Sequence, residues 1–346
     1  MPVTEPIQLP PTARILIIKP SAVGDVVHAL PILNLLRKRY PQATIDWVVT
    51  PTCAGILDRH PQLNDAILFD RKRLGGAWKN REIRKELVTF AKRLREAKYD
   101  VVLDLQGLFR SGWMAWKTGA AVRIGFRKAR EFAPVFYTHR VDIGTTEQHA
   151  IERYLSIAEQ LGCPRGPVEF VFPHDYTDRS HVASMVPLTT KYAVLLPGTN
   201  WVTKRWPVEH FAALVQPLKE RFGLETVVAG GAYEASIVGQ IKPAYDVTMK
   251  TTLRQLVALL ERADLVIAND SGPMHIAAAL GKPLVTMFGP TNPVRTGPYG
   301  RMDSVVRVGL PCSPCYSKKC SHISCLNWLY PEMVLKRAKK ELARKL

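Results

Sequence analysis

No stretch of this sequence approaches the ~18 apolar residues that a membrane-spanning helix requires. The segment from Met1 to Pro11 is broken by prolines and an acid, where a secretory leader would carry an apolar core. Both absences predict a cytoplasmic protein that touches membranes at most peripherally. Cysteine is sparse, six in 346 residues, too few for a disulfide scaffold in a chain this long. There is no Gly-x-x-x-x-Gly-Lys-Ser/Thr loop and no well-placed Gly-x-Gly-x-x-Gly, which counts against ATPase and NAD-dehydrogenase chemistry. Acidic residues are also in short supply: 30 face 48 Lys and Arg, for a net charge of +18.

Such an excess predicts attraction to something acidic, whether nucleic acid, an anionic membrane face or a phosphorylated substrate. Its distribution is uneven. Residues 71–98 hold eleven Lys and Arg, Arg71 and Arg73 among them, against Glu82, Glu86 and Glu96. A second cluster contains Arg123, Arg127, Lys128, Arg130 and Arg140, and a third is the tail from Lys336 to Lys345. The tail reads equally as a solvated helix face. Arg127-Lys128-Ala129-Arg130 reads as an anion site, because it is loop-like, follows Gly125 and is flanked by Phe126 and Phe132.

A chain of 346 residues exceeds the ~250–300 at which a single core stops growing, so two domains are expected. Arg14–Lys19 reads as a buried parallel strand, followed by the loop Ser21–Asp25 and a helix from Val26 to Tyr40. Thr44–Thr50 and Tyr99–Asp104 are further strands, and 79–98 and 146–161 are helices. The proline-rich, polar stretch Arg165–Thr190 is the expected linker. Alternation then restarts, with strands at Tyr192–Leu196, Glu225–Ala229, Asp264–Ala268 and Pro283–Phe288 and a helix at Leu253–Arg262. The pattern predicts an α/β chain with two tandem Rossmann-like, doubly wound domains, 1–176 and 177–346.

Ligands of open α/β sheets sit at the carboxyl ends of the strands, and here those ends repeatedly carry Gly, Thr, Ser and Asp. Asn269-Asp-Ser-Gly-Pro-Met-His275 follows a strand and opens a small-residue helix. Gly272 lets backbone approach a ligand, and the helix N-terminus suits a diphosphate. Asp270 or Ser271 also suits an ordinary N-cap, and His275 a packed core position. Thr199 and Lys204 supply a hydroxyl and a cation just past another strand, with Lys204 suited to a phosphate. Gly24-Asp25 stands at the first strand-to-helix junction. Its carboxylate suits proton abstraction from a sugar hydroxyl and equally suits a helix first turn.

Cys312, Cys315, Cys320 and Cys325 fall within fourteen residues, with Pro311 just before them and Pro314 among them. That spacing resembles a metal knuckle, leaving structural zinc, an iron–sulfur cluster and reduced structural thiols open. The cluster lies apart from the segments expected to form the site. Cys53 and Cys163 read as buried thiols.

In combination, Lys19-Pro-Ser-Ala-Val-Gly-Asp-Val-Val-His-Ala-Leu-Pro31, Asp104-Leu-Gln-Gly-Leu108, Lys204-Arg-Trp-Pro207, Asn269–His275 and Phe288-Gly-Pro-Thr-Asn-Pro293 resemble the lipopolysaccharide heptosyltransferases, glycosyltransferase family 9. The resemblance spans roughly residues 14 to 295, and Arg123-Ile-Gly-Phe126 to Gln148-His149 looks most like heptosyltransferase I. It implies a GT-B fold, two Rossmann-like domains facing a cleft, with the acceptor on the N-terminal domain and an ADP-heptose donor on the C-terminal one. The family's general base falls on Asp25, its phosphate-binding lysine on Lys204, and its donor loop on Asp270, Ser271, Gly272 and His275. Thr199 falls near a hydroxyl contact to the phosphates, and Glu234 near an adenosine-side acid. The acceptor it implies is Kdo-bearing lipid A, held by basic residues such as Arg71, Arg73, Arg127, Lys128 and Arg130, at the anionic inner-membrane surface. No cofactor or catalytic metal is implied, and the cysteine cluster departs from heptosyltransferase I.

The expected reaction is therefore an inverting transfer of heptose to the Kdo of the inner core during lipopolysaccharide biosynthesis. The sister reading is a family-9 transferase with another donor or acceptor, heptosyltransferase II included. A reading from a different class, a basic nucleic-acid-binding protein, rests on the charge and the knuckle-like cysteines. It gives no role to Asp25 or to 269–275, so nucleic acid is not among the expected partners.

Overall fold

The computed structural model describes residues 5–75, 80–145 and 147–344. Lys79 and Thr146, where two helices are expected to begin, and Lys345 at the end of the basic tail lie outside the described residues. The chain divides into two units, Met1–Pro173 and His174–Leu346.

The first unit begins with β1 (Arg14–Ile18), α1 (Val23–Arg39), β2 (Thr44–Val49), the short α2 (Pro51–Ala54) and β3 (Asp65–Leu68). It continues with the single turn α3 (Arg71–Leu74), α4 (Arg81–Glu96), β4 (Val101–Asp104), α5 (Phe109–Thr118) and β5 (Val122–Phe126). A 3₁₀ turn at Ala133–Phe136, β6 (His139–Val141) and α6 (Ala150–Glu159) complete it. The strands pair in the order β3-β2-β1-β4-β5-β6, every pair parallel, the arrangement of dinucleotide-binding folds. A parallel sheet is covered on both faces, so β1 reads as an unbroken apolar run with Ile15 to Ile18 fully buried. Leu16 and Ile18 face Phe90 and Leu94 of α4 and Met114 of α5. In α1, Asp25 stands in the first turn and Arg37, Lys38 and Arg39 in the last, charges that oppose both ends of the helix dipole.

The second unit begins with α7 (Tyr176–Met185), β7 (Tyr192–Leu196), α8 (Val208–Phe222), β8 (Glu225–Val228), α9 (Ala232–Ile241) and β9 (Tyr245–Asp246). Then follow α10 (Leu253–Arg262), β10 (Leu265–Asn269), α11 (Gly272–Ala279), β11 (Leu284–Met287), α12 (Pro293–Thr296) and β12 (Val305–Val306). α13 (Ser324–Asn327) and α14 (Pro331–Ala343) end it. Its order, β12-β11-β10-β7-β8-β9, repeats the first unit's permutation when counted from its own first strand. Trp206, Phe211 and Leu214 pack on Ala193 and Leu195 of β7, and Val334, Leu335 and Ala338 of α14 close the same core.

The expected linker at Arg165–Thr190 is corrected: α7 occupies its middle. No apolar periodicity announces this helix, because polar contacts hold it. Asp175 caps it by accepting from the N–H groups of Thr177 and Asp178. Buried Arg254 of α10 donates to Asp178 at 3.0 and 2.7 Å and to Asp175 at 2.7 Å. Removing one member of a buried pair strands the other charge and costs on the order of 3–5 kcal/mol, whereas replacing both with apolar groups is close to neutral. We therefore expect Arg254→Met to lower the melting temperature sharply, and Arg254→Met with Asp178→Leu to recover most of the loss. Thermal unfolding checks this, and equal melting of the two variants refutes it.

Candidate functional site

In each sheet the strand order reverses beside its first strand, so crossovers leave in opposite directions and a crevice opens at the carboxyl ends. In the first unit this point lies between β1 and β4. The chain leaving β1 runs Lys19-Pro-Ser-Ala-Val-Gly-Asp25 into α1. Asp25 is the third helical residue, and its Oδ2 accepts from the Ala22 N–H at 3.1 Å. Its side chain stays 41% exposed, 3.8 Å from the Nζ of Lys19, which is 4% exposed. Burial alone would lower the pKa of the Lys19 ammonium. The negative charge of Asp25 and the hydroxyl of Tyr154 outweigh burial and shift it upward, so the lysine is a cation in the interior. Sequence reading placed Lys19 in a motif without giving it a role. A lysine ending an apolar strand six residues before a first-turn acid was the available signal.

Across the crevice Asp104 ends β4. It is fully buried, accepts from Tyr137 at 2.6 Å and from the Gln106 and Gly107 N–H groups at 2.9 and 3.0 Å. Burial pushes its carboxyl up despite these donors. Asp104 thus builds the β4–α5 turn, which needs Gly107 at a φ of 66°. The Arg130 N–H donates to the Gly107 carbonyl at 3.0 Å, which ties the basic loop to this turn. Arg127, Lys128 and Arg130 follow β5 and are exposed, with Arg127 Nε 3.7 Å from Asp142. Arg71 and Arg73 follow β3 on α3. Arg73 is already clasped by Glu86 through bonds of 2.8 and 2.5 Å. β3 and β5 each lie two strands from β1, so the basic loops start roughly 10 Å to either side of the β1 end at ordinary strand spacing.

In the second unit the reversal falls between β7 and β10. Asn269 spans it, donating to the Pro197 carbonyl at 2.6 Å and accepting from the Trp206 N–H at 3.2 Å. Thr199 Oγ1 donates to the Asp270 carbonyl at 3.0 Å. Asp270 is buried and doubly bound, by Lys204 Nζ at 2.7 Å and by Thr291 Oγ1 at 2.6 Å. Lys204 therefore reaches the crevice already paired, and one of its three N–H bonds is taken. Ser271 sits at the N-cap of α11 but makes no side-chain cap bond. Its Oγ is buried without a hydrogen-bond partner among the described residues. A buried hydroxyl left unpaired beside open helix N–H groups is a place where a ligand oxygen restores what is missing. Gly272 opens that helix, and His275 is buried in its first turns. Glu234 of α9 accepts from the Gly231 N–H at 2.9 Å. A Cβ on Gly198 or Gly230 would run into its carboxylate, so those glycines admit the acid to the strand ends.

The cysteine reading is corrected twice. Among the described residues no group of three or more His, Cys, Asp or Glu is arranged to hold a metal ion. Cys312, Cys315 and Cys320 are exposed, while Cys325 is buried within the core of this unit. Burial raises the pKa of that thiol, and the neighbouring Cys315, Cys312 and Cys320 push it the same way. Of the readings left open, structural metal finds no support among the described residues, and the four cysteines are free thiols. Nor does the segment lie apart from the site. Ser313 Oγ donates to the Gly289 carbonyl at 2.6 Å, the Tyr316 N–H to the Pro290 carbonyl at 2.7 Å, and Thr203 Oγ1 to the Ser317 carbonyl at 2.8 Å. Trp201 then carries Lys204 and Lys318 at 4.7 and 4.9 Å from its ring centre. Sequence reading missed Lys318, because nothing along the chain signals that residue 318 returns to residue 201.

Comparison with known proteins agrees with this arrangement. Glycosyltransferase family 9 (heptosyltransferase) matches residues 87–325. The chain is 34% identical over 323 residues to lipopolysaccharide heptosyltransferase 1 of Pseudomonas aeruginosa, covering 89% of this chain and 88% of that protein. It is 30% identical over 319 residues to lipopolysaccharide heptosyltransferase 2 of Escherichia coli K12, covering 85% and 88%. The solved structure of E. coli heptosyltransferase WaaC with ADP matches with a TM-score of 0.77 at 28% identity, over 95% of this chain and 99% of that one. The paired six-stranded parallel sheets are those of the GT-B fold, and the chain belongs to glycosyltransferase family 9, the heptosyltransferases.

Proposed function

We propose that this chain is an inverting heptosyltransferase that moves heptose from ADP-L-glycero-D-manno-heptose to the Kdo of inner-core lipid A. It works in the cytoplasm at the anionic face of the inner membrane. No helix among the described residues is long and apolar enough to cross a membrane, so attachment there is peripheral in this reading. The observation that carries the proposal is the Asp25 carboxylate, exposed at the β1 end and held by a buried lysine cation. The relatives named as acting on lipopolysaccharide and the structure solved with ADP support the substrates.

In the reaction Asp25 takes the proton of an acceptor hydroxyl. The oxygen forms its bond to the anomeric carbon as the bond to the β-phosphate oxygen breaks, through a transition state of oxocarbenium character. The electron pair leaves on ADP. Lys204 and the N–H groups at the head of α11 meet that developing charge, with Ser271 Oγ as a further donor. Thr199, Asp270, Gly272 and His275 shape the donor loop, and Glu234 serves the adenosine side. Arg71, Arg73, Arg127, Lys128 and Arg130 take acceptor phosphates. The first unit is thus the acceptor domain and the second the donor domain.

Asp25→Asn keeps an acceptor for the Ala22 N–H and should leave folding and ADP binding intact. Transfer should fall by about 10²–10⁴, the usual contribution of a positioned base. Near-normal turnover would remove Asp25 from this role. Lys204→Gln retains a donor toward Asp270 but loses the charge, and ADP should bind roughly ten- to a hundredfold more weakly, matching ~1.5–3 kcal/mol for a charged hydrogen bond. Calorimetry decides, with unchanged affinity placing the lysine off the phosphates. ADP should raise the melting temperature where UDP and GDP do not. Transfer to Kdo-lipid A, compared with an acceptor already carrying one heptose, separates heptosyltransferase I from the II-like reading.

A further inference from the structure

We infer that the groove between α4 and α5 is the face by which this protein docks on an anionic phospholipid bilayer. The inference rests on the proposed action on a lipid-borne acceptor and assigns that reading a surface. Phe90 and Leu94 turn one stripe of α4 into the core. A second stripe, spaced four residues apart through Arg84, Val88 and Lys92, faces outward and lines a groove of about 700 Å³ with Trp116 and Lys117 of α5. Five of the groove's eleven lining residues are basic, and none of those described is acidic.

Its apolar part is unusually open for a soluble surface. Val88 is 62% exposed and Trp116 50%. The aromatic surface continues along α5. Phe136, at the end of the 3₁₀ turn, packs 6.4 Å from the Trp116 ring and 5.3 Å from that of Phe109, and Phe132 just before the turn and Val135 within it are exposed. Contiguous exposed apolar surface marks an interaction site. Lys117 Nζ stands 4.5 Å over the Trp116 ring, a cation and an indole together at one level. An apolar strip edged by Lys and Arg, with Trp at the boundary, matches the acyl–headgroup interface of an anionic leaflet. Charge complementarity and the exposed side chains thus name one occupant. The α4–α5 groove lies on the helical layer over one face of the sheet, whereas Asp25 and the basic loops Arg71–Arg73 and Arg127–Arg130 stand at the carboxyl ends of the strands.

The test is co-sedimentation of the full chain with phosphatidylethanolamine/phosphatidylglycerol vesicles and with phosphatidylcholine vesicles, at physiological salt. One variant carries Val88→Ser with Trp116→Ser, a second Lys92→Glu with Lys117→Glu, and a control on α14 carries Lys336→Glu with Lys340→Glu. Each is also assayed for transfer to a deacylated, water-soluble acceptor and for thermal unfolding. We expect the wild type and the α14 control to bind the anionic vesicles only. The two groove variants should lose about tenfold or more in vesicle affinity, with melting temperature and soluble-acceptor transfer retained. Groove variants that bind vesicles like the wild type would overturn the assignment while leaving membrane attachment standing. A wild type that binds neither vesicle would overturn attachment itself. Loss of soluble-acceptor transfer in a folded groove variant would reassign the groove to the substrate site. If the serine variant fails to fold, the charge-reversal variant, altered at exposed Lys92 and half-buried Lys117 with no core residue changed, still decides.

Discussion

Both sites depend on parallel strand pairing at the two points where strand order reverses, β1 against β4 and β7 against β10. The registers Ile18↔Asp104 and Leu196↔Ala268 bring the two ends level. Beyond them the chains diverge, and their backbone groups lose the ladder that satisfied them. Buried polar groups must find partners, so side chains take over: Asp104 for the Gln106 and Gly107 N–H groups, Asn269 for Pro197 and Trp206, Thr199 for Asp270. Residues of one motif therefore divide by task. Asp104 and Asn269 are fully buried and consumed in building the crevice. Asp25 keeps a half-exposed carboxylate, and Ser271 a hydroxyl with no hydrogen-bond partner among the described residues.

The two crevices differ in how charge is managed. In the first, the Asp25 carboxylate stands beside Lys19, and of the basic residues past the flanking strands Arg73 and Arg127 each face an acid. In the second, Lys204 already neutralises buried Asp270. In the proposed reaction a diphosphate would share Lys204 rather than capture it, while Thr291 keeps Asp270 hydrogen-bonded. Leaving that aspartate unpaired would cost several kcal/mol. A preformed pair with a second donor in place lets the ammonium turn toward a phosphate with little rearrangement, which is the condition for stabilising charge as it develops.

The strands that build these crevices were legible because burial on both faces makes them apolar throughout. β1 and β7 announce themselves, and α10 runs from Leu253 to Arg262 as its apolar spacing predicts. α7 was not legible, since its stability comes from Arg254, more than seventy residues away, and polar sequence without periodicity looks like linker. The residues of the candidate site were legible as strand-end motifs, but their partners were not. Spacing locates Lys204 after a strand without saying that Asp270 has claimed it, and it puts Arg73 in a basic run without showing Glu86. For the cysteines, spacing left metal and free thiols open alike, because it says nothing of burial, and the core took Cys325.

That cysteine segment has a different physical role, which follows from how it is held. Its hydrogen bonds run to the Gly289 and Pro290 carbonyls at the end of β11 and to Thr203, next to Lys204, so it forms a strap across the strand ends of the second unit. The strap delivers Lys318 to Trp201, whose ring then lies close to two ammonium groups. One ring quadrupole offsets only part of that charge, and Asp270 is committed to Lys204. The surplus of positive charge at this point favours an anion more strongly than Lys204 alone can. The strap, remote in sequence from every strand-end motif, thereby adds to the positive field at these strand ends, where the proposed reaction puts the departing diphosphate.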